Sequence, residues 1–167
     1  LFTSYTALQA TANAIRAKLE SEGIAVLAQG TDGSPHQIVR NYLENPKAVI
    51  LGTSSFWEGV DLAAESLRVL LVTKLPFSVP TDPVFAARSE LFENSFTEYA
   101  VPQAILRLRQ GFGRLIRSKS DRGVAVIMDS RVLSKRYGKL FLQSLPPSTV
   151  KTCELGDLSR LIEGWVG

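Results

Sequence analysis

The segment QGFGRLIRS, residues 110–118, combines glycine and arginine in a pattern that could bind an anion. Gly111 and Gly113 interrupt what otherwise has the pattern of a helix, although glycine inside a helix costs about 1 kcal/mol relative to alanine. Arg114 and Arg117 follow, three residues apart, and guanidinium groups form paired hydrogen bonds with phosphate oxygens. We therefore interpret the glycines as leaving room for a phosphate that approaches the arginines closely.

A helix over residues 101–118 would place several polar side chains together on one side. At about 100° per residue, five of them fall within an arc of about 80°. The two glycines flank this arc, and the residues broadly opposite are apolar enough to enter a core. The alternative is the solvated polar face of an ordinary surface helix. The arc consists of Gln103, Arg107, Gln110, Arg114 and Arg117.

A second group of polar residues occurs where predicted strands end. Thr53 and Ser54 follow an apolar run in the segment GTSSFWEGVDL, residues 52–62, and Thr3 and Ser4 follow the apolar start of the chain. Hydroxyls and backbone N–H groups of this kind bind phosphate oxygens in nucleic-acid complexes. Because ligands of parallel sheets bind beyond the carboxyl ends of the strands, these residues are candidates for one binding edge.

The acidic residues of the same segment suggest a nucleotide contact. Glu58 and Asp61 bracket Gly59, and an acidic side chain in such a turn can accept hydrogen bonds from ribose hydroxyls. The alternative is a capped loop in which Phe56 and Trp57 serve as packing anchors.

Short β-branched runs alternate with helical patterns along the chain. This alternation is typical of an α/β fold with a doubly wound, mainly parallel sheet flanked by helices. No linker or repeat divides residues 1–167, so we expect a single domain. The predicted strands are 24–28, 48–53, 67–73 and 123–129. The predicted helices are 6–22, 34–45, 82–98 and 101–118, with two shorter ones near 134–143 and 156–163.

The composition excludes several kinds of site. One cysteine and one histidine among 167 residues rule out an internal disulfide, a multi-cysteine zinc site and a ligated iron–sulfur cluster. The sequence also lacks the G-x-x-x-x-G-K-[ST] phosphate loop, so a complete nucleotide site of the usual type is not expected. No apolar run reaches the roughly 18 residues of a membrane span. Because the chain opens on what looks like the end of a strand, we expect it to be a fragment of a longer protein.

The chain resembles the C-terminal motor domain of superfamily 2 DNA helicases, specifically the DinG branch of the XPD-like group. Three segments look like family motifs and occur in the family's order: LFTSY (1–5) like motif IV, GTSSFWEGVDL (52–62) like motif V, and QGFGRLIR (110–117) like motif VI. The resemblance implies a RecA-like domain, the second of two that clamp ATP between them. The P-loop and the Mg²⁺-binding acidic motif would belong to an N-terminal RecA-like domain of the same polypeptide.

The resemblance also implies roles for individual residues. Arg117 would be the arginine finger on the γ-phosphate of ATP, with Arg114 and Gln110 assisting it. Asp61 would meet the nucleotide ribose, whereas Glu58 and Gly59 would link the nucleotide cleft to the DNA track. The expected contacts to phosphates of single-stranded DNA are Thr3, Ser4, Thr53 and Ser54.

The resemblance further implies the cofactors, the partners and the setting. ATP with Mg²⁺ would be held mainly by the first domain, and any iron–sulfur cluster would lie upstream of this chain. Single-stranded DNA would be the partner of a bacterial, cytoplasmic, nucleoid-associated helicase that has no membrane segment. By itself the chain would be inactive. Two alternatives stay open: a non-catalytic docking module of helicase descent, for nucleic acid or protein, and a free-standing α/β ligand-binding domain.

Overall fold

The computed structural model describes residues 1–45, 47–53, 55, 56, 67–118 and 120–166. Within these ranges it contains helices and short parallel strands that alternate along the chain. The strands are β1 (Ala25–Ala28), β2 (Ala48–Leu51), β3 (Val69–Val72) and β4 (Val124–Ile127). The α-helices are α1 (Tyr5–Ser21), α2 (Pro35–Glu44), α3 (Pro83–Ser89), α4 (Val101–Phe112), α5 (Arg131–Ser134), α6 (Gly138–Ser144) and α7 (Leu158–Val166). A π-helix (Phe96–Ala100) precedes α4, and a 3₁₀-helix (Leu155–Asp157) precedes α7.

The strands form two parallel pairs that the first two residues join. β1 pairs with β2 from Ala25 opposite Ala48, and β3 pairs with β4 from Val69 opposite Val124. Between the pairs, Phe2 N donates to Gly52 O at 2.8 Å, and Thr73 N donates to Leu1 O at 3.1 Å. The sheet therefore continues through the start of the chain, and all its pairings are parallel.

Helices cover both faces of this sheet. Because successive strand residues point to opposite faces, Val26 contacts α1 on one face, where Leu8 is fully buried, whereas Leu27 contacts buried Ile38 of α2 on the other. On the second pair of strands, Leu70 and Val72 pack against α4 and α6, and α7 contacts β4. Leu71, between Leu70 and Val72, remains 42% exposed. The predicted doubly wound α/β fold is confirmed.

The N-termini of the helices follow local sequence signals. Ser34 caps α2 in a reciprocal arrangement with Gln37, and Pro35 occupies the first turn. Asp82 also directly precedes a proline, Pro83, and it caps α3 by accepting a hydrogen bond from Phe85 N at 2.8 Å. These two helices begin within a residue of the predicted positions because the capping residues fix them.

Three predicted helices have different boundaries. The helix predicted over 82–98 is two separate segments, because Asn94 Oδ1 accepts a hydrogen bond from Thr97 N and starts a new turn. The helix near 134–143 is also divided: α5 ends at Ser134, and α6 begins at Gly138, where an added Cβ would collide with Val132 O. The last helix covers 158–166, later than predicted, and the strands are one to three residues shorter than the apolar runs.

The helix predicted over 101–118 ends at Phe112, which changes the geometry of the arginines. Two glycines lower helix propensity here, and Leu115 N donates to Phe112 O at 2.9 Å in a turn that buries the Leu115 side chain to 1% exposure. The predicted polar arc is therefore wrong beyond Gln110. Arg114 and Arg117 lie in the connection between α4 and β4.

Candidate functional site

The connection from α4 to β4 begins with what we call the arginine turn, residues 113–118. Leu115 anchors it in the core, so the neighbouring Arg114 is held against the protein surface and is largely buried. The Nε of Arg114 is buried, and no hydrogen-bond partner for it exists among the residues that the structure describes. A buried donor without a partner costs free energy, which makes Arg114 a candidate for binding an acceptor from outside the described residues.

Arg117 is held at its backbone by Asp121. The Oδ2 of Asp121 accepts hydrogen bonds from Arg117 N at 2.8 Å and from Ser118 N at 2.9 Å. The Ser118 hydroxyl donates to Oδ1 at 2.7 Å. This hydroxyl and then the two backbone N–H groups lower the pKa of Asp121. The prediction from sequence missed Asp121, although Ser118 and Asp121, which bound the segment SKSD, are typical residues of such turns.

The two glycines near the arginines have different surroundings. Gly111 is buried within the domain, so the expectation that it flanks an open polar arc is wrong. Gly113 is exposed, has an ordinary φ of −62°, and would place an added Cβ no closer than 3.4 Å to its nearest neighbours. The contacts of the described chain do not require glycine at 113, and the close approach of an external group to it stays a prediction.

A cleft of about 500 Å³ lies at the carboxyl edge of the sheet. Thr3 and Thr53, two of the predicted phosphate contacts, line it together. Gln103 and Arg107 of α4 line it as well, and Arg107 Nη1 donates to Ser78 Oγ at 2.5 Å. The structure thus brings the hydroxyl residues to one cleft and places the first part of the polar arc beside them.

Gln29 organises the wall of this cleft. Its Oε1 accepts hydrogen bonds from Thr53 N at 2.8 Å and Thr53 Oγ1 at 3.1 Å, and its Nε2 donates to Tyr5 OH and to Ser55 Oγ at 2.6 Å each. Both Gln29 and Thr53 are buried. The Thr53 proton is used inside the protein, so toward a ligand this hydroxyl can only accept.

The other predicted contacts differ in how they are placed. Thr3 is exposed at the cleft, whereas the Ser4 hydroxyl caps α1 by accepting from Ala7 N at 3.4 Å. Gln110 is exposed near the end of α4 and does not line the cleft. Four predicted residues lie outside the described ranges: Ser54, Glu58, Gly59 and Asp61.

A second arginine at the sheet edge is held by a carboxylate. Asp129, at the end of β4, accepts from Leu75 N at 2.9 Å and from Arg131 Nη2 at 2.6 Å. The Arg131 guanidinium, more than the other donors, lowers the pKa of Asp129 to about 2. Arg131 also lies over the Phe77 ring, 5.3 Å from its centroid. This pair ties the loop after β3 to the end of β4.

Among the described residues, no group of three or more His, Cys, Asp or Glu side chains could hold a metal ion. Nor does any helix there have the length and apolar character needed to cross a bilayer.

Comparison with known proteins identifies the family. Residues 1–148 match the family model of the helicase C-terminal domain, and the chain belongs to this family. It is 37% identical to the 3'-5' exonuclease DinG of Bacillus subtilis over 98% of its length. It is also 36% identical to the ATP-dependent DNA helicase YoaA of Haemophilus influenzae over 98% of its length, and 39% identical to the ATP-dependent DNA helicase DinG of Photobacterium profundum over 88%. The chain spans 18% to 25% of these relatives' lengths.

Proposed function

We propose that this chain is the second motor domain of an ATP-dependent DNA helicase. In this role it supplies arginine side chains to ATP bound on a partner domain and binds the backbone of single-stranded DNA. The observation that carries the proposal is the arginine turn, in which Arg114 has a buried Nε without a partner in the described chain. The helicase relatives named above support the overall activity.

The arginine turn fits the phosphates of ATP. Two guanidinium groups three residues apart lie on a turn that Leu115 and Asp121 hold in place, and guanidinium groups bind phosphate oxygens through paired hydrogen bonds. When bound with Mg²⁺, ATP supplies the γ-phosphoryl group whose charge spreads in the transition state. The chain contributes positive charge aimed at that group, with Arg117 as the arginine finger and Arg114 and Gln110 assisting it. Such a finger accounts for rate factors of about 10³ to 10⁵ in other nucleotide hydrolases.

The cleft fits a sugar–phosphate backbone. Thr3 offers an exposed hydroxyl that can donate to a phosphate oxygen, and Arg88 and Arg107 bring positive charge to the same cleft. Thr53 also lines the cleft, but its N–H and its hydroxyl both donate to Gln29, so it shapes the wall and donates nothing to a phosphate. Ser54 belongs to the same proposed contact set, and Glu58, Gly59 and Asp61 to the proposed nucleotide side. The Ser4 hydroxyl accepts from Ala7 N in capping α1, so its own proton can still be donated to a phosphate oxygen.

Helix α4 connects the two proposed sites. Gln103 and Arg107 lie at the cleft, and Gln110 precedes the arginine turn at the other end of the helix. At about 1.5 Å per residue, Gln103 and Gln110 are separated by about 10 Å along the axis. A displacement of the turn on ATP binding would therefore be transmitted to the DNA side through a single rigid element.

The test is Arg117→Ala in the full-length protein. We expect kcat for DNA-stimulated ATP hydrolysis to fall by orders of magnitude with a much smaller change in KM, because the charge acts mainly in the transition state. Arg117→Lys should also lose ATP turnover, since an ammonium group cannot form the paired hydrogen bonds of a guanidinium group. The 167-residue chain alone should not hydrolyse ATP, because its sequence has no phosphate loop.

The matched control is Arg122→Ala, which removes the same charge from an exposed position just beyond the turn. It should leave kcat within a few-fold of the unmodified protein. If Arg117→Ala behaves like this control, the finger assignment fails and Arg114 becomes the candidate. If Arg114→Ala is also silent, the motor function is rejected in favour of a docking module.

A further inference from the structure

The cleft contains aromatic rings that phosphate binding alone does not use. Tyr5, Phe77, Phe85 and Tyr99 all line it beside Thr3 and Thr53. Its volume of about 500 Å³ falls within the range of roughly 300–1,000 Å³ typical of ligand clefts. Aromatic rings next to a positively charged groove are typical of proteins that bind single-stranded nucleic acid, since every base has a face that can stack.

Most of these rings already pack against one another. Phe85 and Tyr99 have centroids 5.1 Å apart, and Tyr99 also stacks on Phe92 at 5.3 Å. Phe77 contacts Tyr137 and Phe141 within the core. Tyr5 has no such ring partner in the part of the chain that the structure describes, and 49% of its surface is exposed.

The protein holds the Tyr5 ring in place despite this exposure. Gln29 Nε2 donates to the Tyr5 hydroxyl at 2.6 Å, and Gln29 is itself only 5% exposed. The ring lies against Gly30, where an added Cβ would sit 3.3 Å from Tyr5 Cε1, and the φ of +86° at Gly30 favours glycine. An exposed ring that is fixed by a buried amide loses little conformational entropy when a ligand stacks on it.

The charges of the cleft favour an anionic chain over a neutral apolar partner. Arg88 and Arg107 line it against one carboxylate, that of Asp82, so the charged side chains sum to a positive charge. Thr3, a proposed phosphate contact, lines the same cleft as Tyr5. A phosphate at Thr3 would therefore lie near an open aromatic ring.

We propose that Tyr5 is a stacking surface for one unpaired base of the bound strand, and that Gln29 positions both this ring and Thr53. The inference rests on the proposed function and adds base contact to backbone contact. Recognition of this kind tolerates any base sequence but requires a base to be present.

The experiment is a scan of abasic sites with the full-length protein. A series of equal-length oligothymidylates, each lacking one base but keeping its sugar and phosphates, is titrated by fluorescence anisotropy. With the unmodified protein, we expect one position where base removal raises Kd by about 5- to 100-fold, the range of a lost stacking contact. In Tyr5→Leu, base removal at that position should have no further effect, because ring and base act as one interaction.

Two variants complete the design. Tyr5→Phe keeps the ring and should retain the abasic penalty at that position. Trp165→Leu removes another exposed ring, 57% exposed on α7 and outside the cleft, and should leave the whole scan unchanged. Thermal melts of all variants check that each is folded.

The outcomes distinguish a failure of the inference about Tyr5 from a failure of the proposed helicase function. If Tyr5→Leu weakens binding equally for intact and abasic strands, the role of Tyr5 is structural and the inference is overturned. It is also overturned if the strand binds but no single position depends on its base. If the unmodified protein binds no single-stranded DNA, the proposed function itself fails.

Discussion

The two arginine segments that flank β4 differ in how their charges are satisfied. Arg131 is bound by Asp129 through several hydrogen bonds and lies over Phe77, so its charge is neutralised inside the domain. Arg114, before β4, has a buried Nε without a partner in the described chain. Arg131 has its partner within the domain, whereas the Nε of Arg114 would gain one only from outside the described residues. We propose from this contrast that Arg131 belongs to the scaffold and that Arg114 acts on a ligand.

Of these two arginines, Arg114 has the larger expected effect, the loss of ATP turnover in Arg114→Ala. Removing one preorganised donor from a transition-state site costs about 10²- to 10³-fold in kcat, and the melting temperature should stay the same or rise because a buried unpaired donor is removed. Arg131→Ala should instead lower the melting temperature by several degrees and keep ATP turnover within a few-fold of the unmodified protein. Steady-state ATPase assays and thermal melts of the full-length variants measure both.

The distinction between Arg114 and Arg131 would be wrong if both substitutions changed the same property, either ATP turnover or melting temperature. A drop in melting temperature for Arg114→Ala with normal turnover would make Arg114 structural. A large loss of turnover in Arg131→Ala at unchanged stability would place Arg131 in the site instead.

A smaller effect is expected in acid, at Asp129. Its pKa is lowered to about 2, so its contribution to stability is complete above the unfolded-state pKa, near 4, and is lost as the pH falls through 2. The shift corresponds to about 2 kcal/mol. Urea denaturation of the 167-residue chain should therefore show that the free energy of unfolding declines between neutral pH and pH 2. Asp129→Asn should be less stable at neutral pH, and its free energy of unfolding should decline less over the same range.

Asp157→Asn is the control for this pH dependence. Asp157 also pairs with an arginine, Arg160, but both side chains are exposed, and such surface pairs contribute little. Asp157→Asn should have the same free energy of unfolding as the unmodified chain at every pH. An unchanged acid profile in Asp129→Asn would remove the scaffold assignment of the Asp129–Arg131 pair.

The smallest effect on stability is expected for Gly113→Ala. Its φ of −62° suits alanine, and such substitutions stabilise by about 0.4–1 kcal/mol. The free energy of unfolding of the 167-residue chain should therefore be unchanged or slightly higher. ATP turnover of the full-length variant should fall several-fold if a phosphate or a partner domain approaches this point. Gly138→Ala is the contrasting variant and should destabilise strongly, because its Cβ would meet Val132 O.

Local sequence signals determined much of the fold. Alternating apolar runs and helical patterns gave the α/β class, and the caps at Ser34 and Asp82 fixed where α2 and α3 begin. These features depend on residues close in sequence, so periodicity and capping chemistry can predict them. The ordered segments at 1–5, 52–62 and 110–117 likewise indicated the helicase family, which the family match over 1–148 confirms.

Only the tertiary structure decided how the site residues are arranged. The end of α4 depends on burial of Leu115 among residues distant in sequence, and a helical projection cannot include such contacts. The same holds for Gln29, which bridges Tyr5 and Thr53 across 24 residues of sequence on either side. These hydrogen bonds join residues far apart in sequence, and they form only when the strand ends meet at one edge of the sheet. The types of the site residues could therefore be read from the sequence, whereas their hydrogen-bond partners could not.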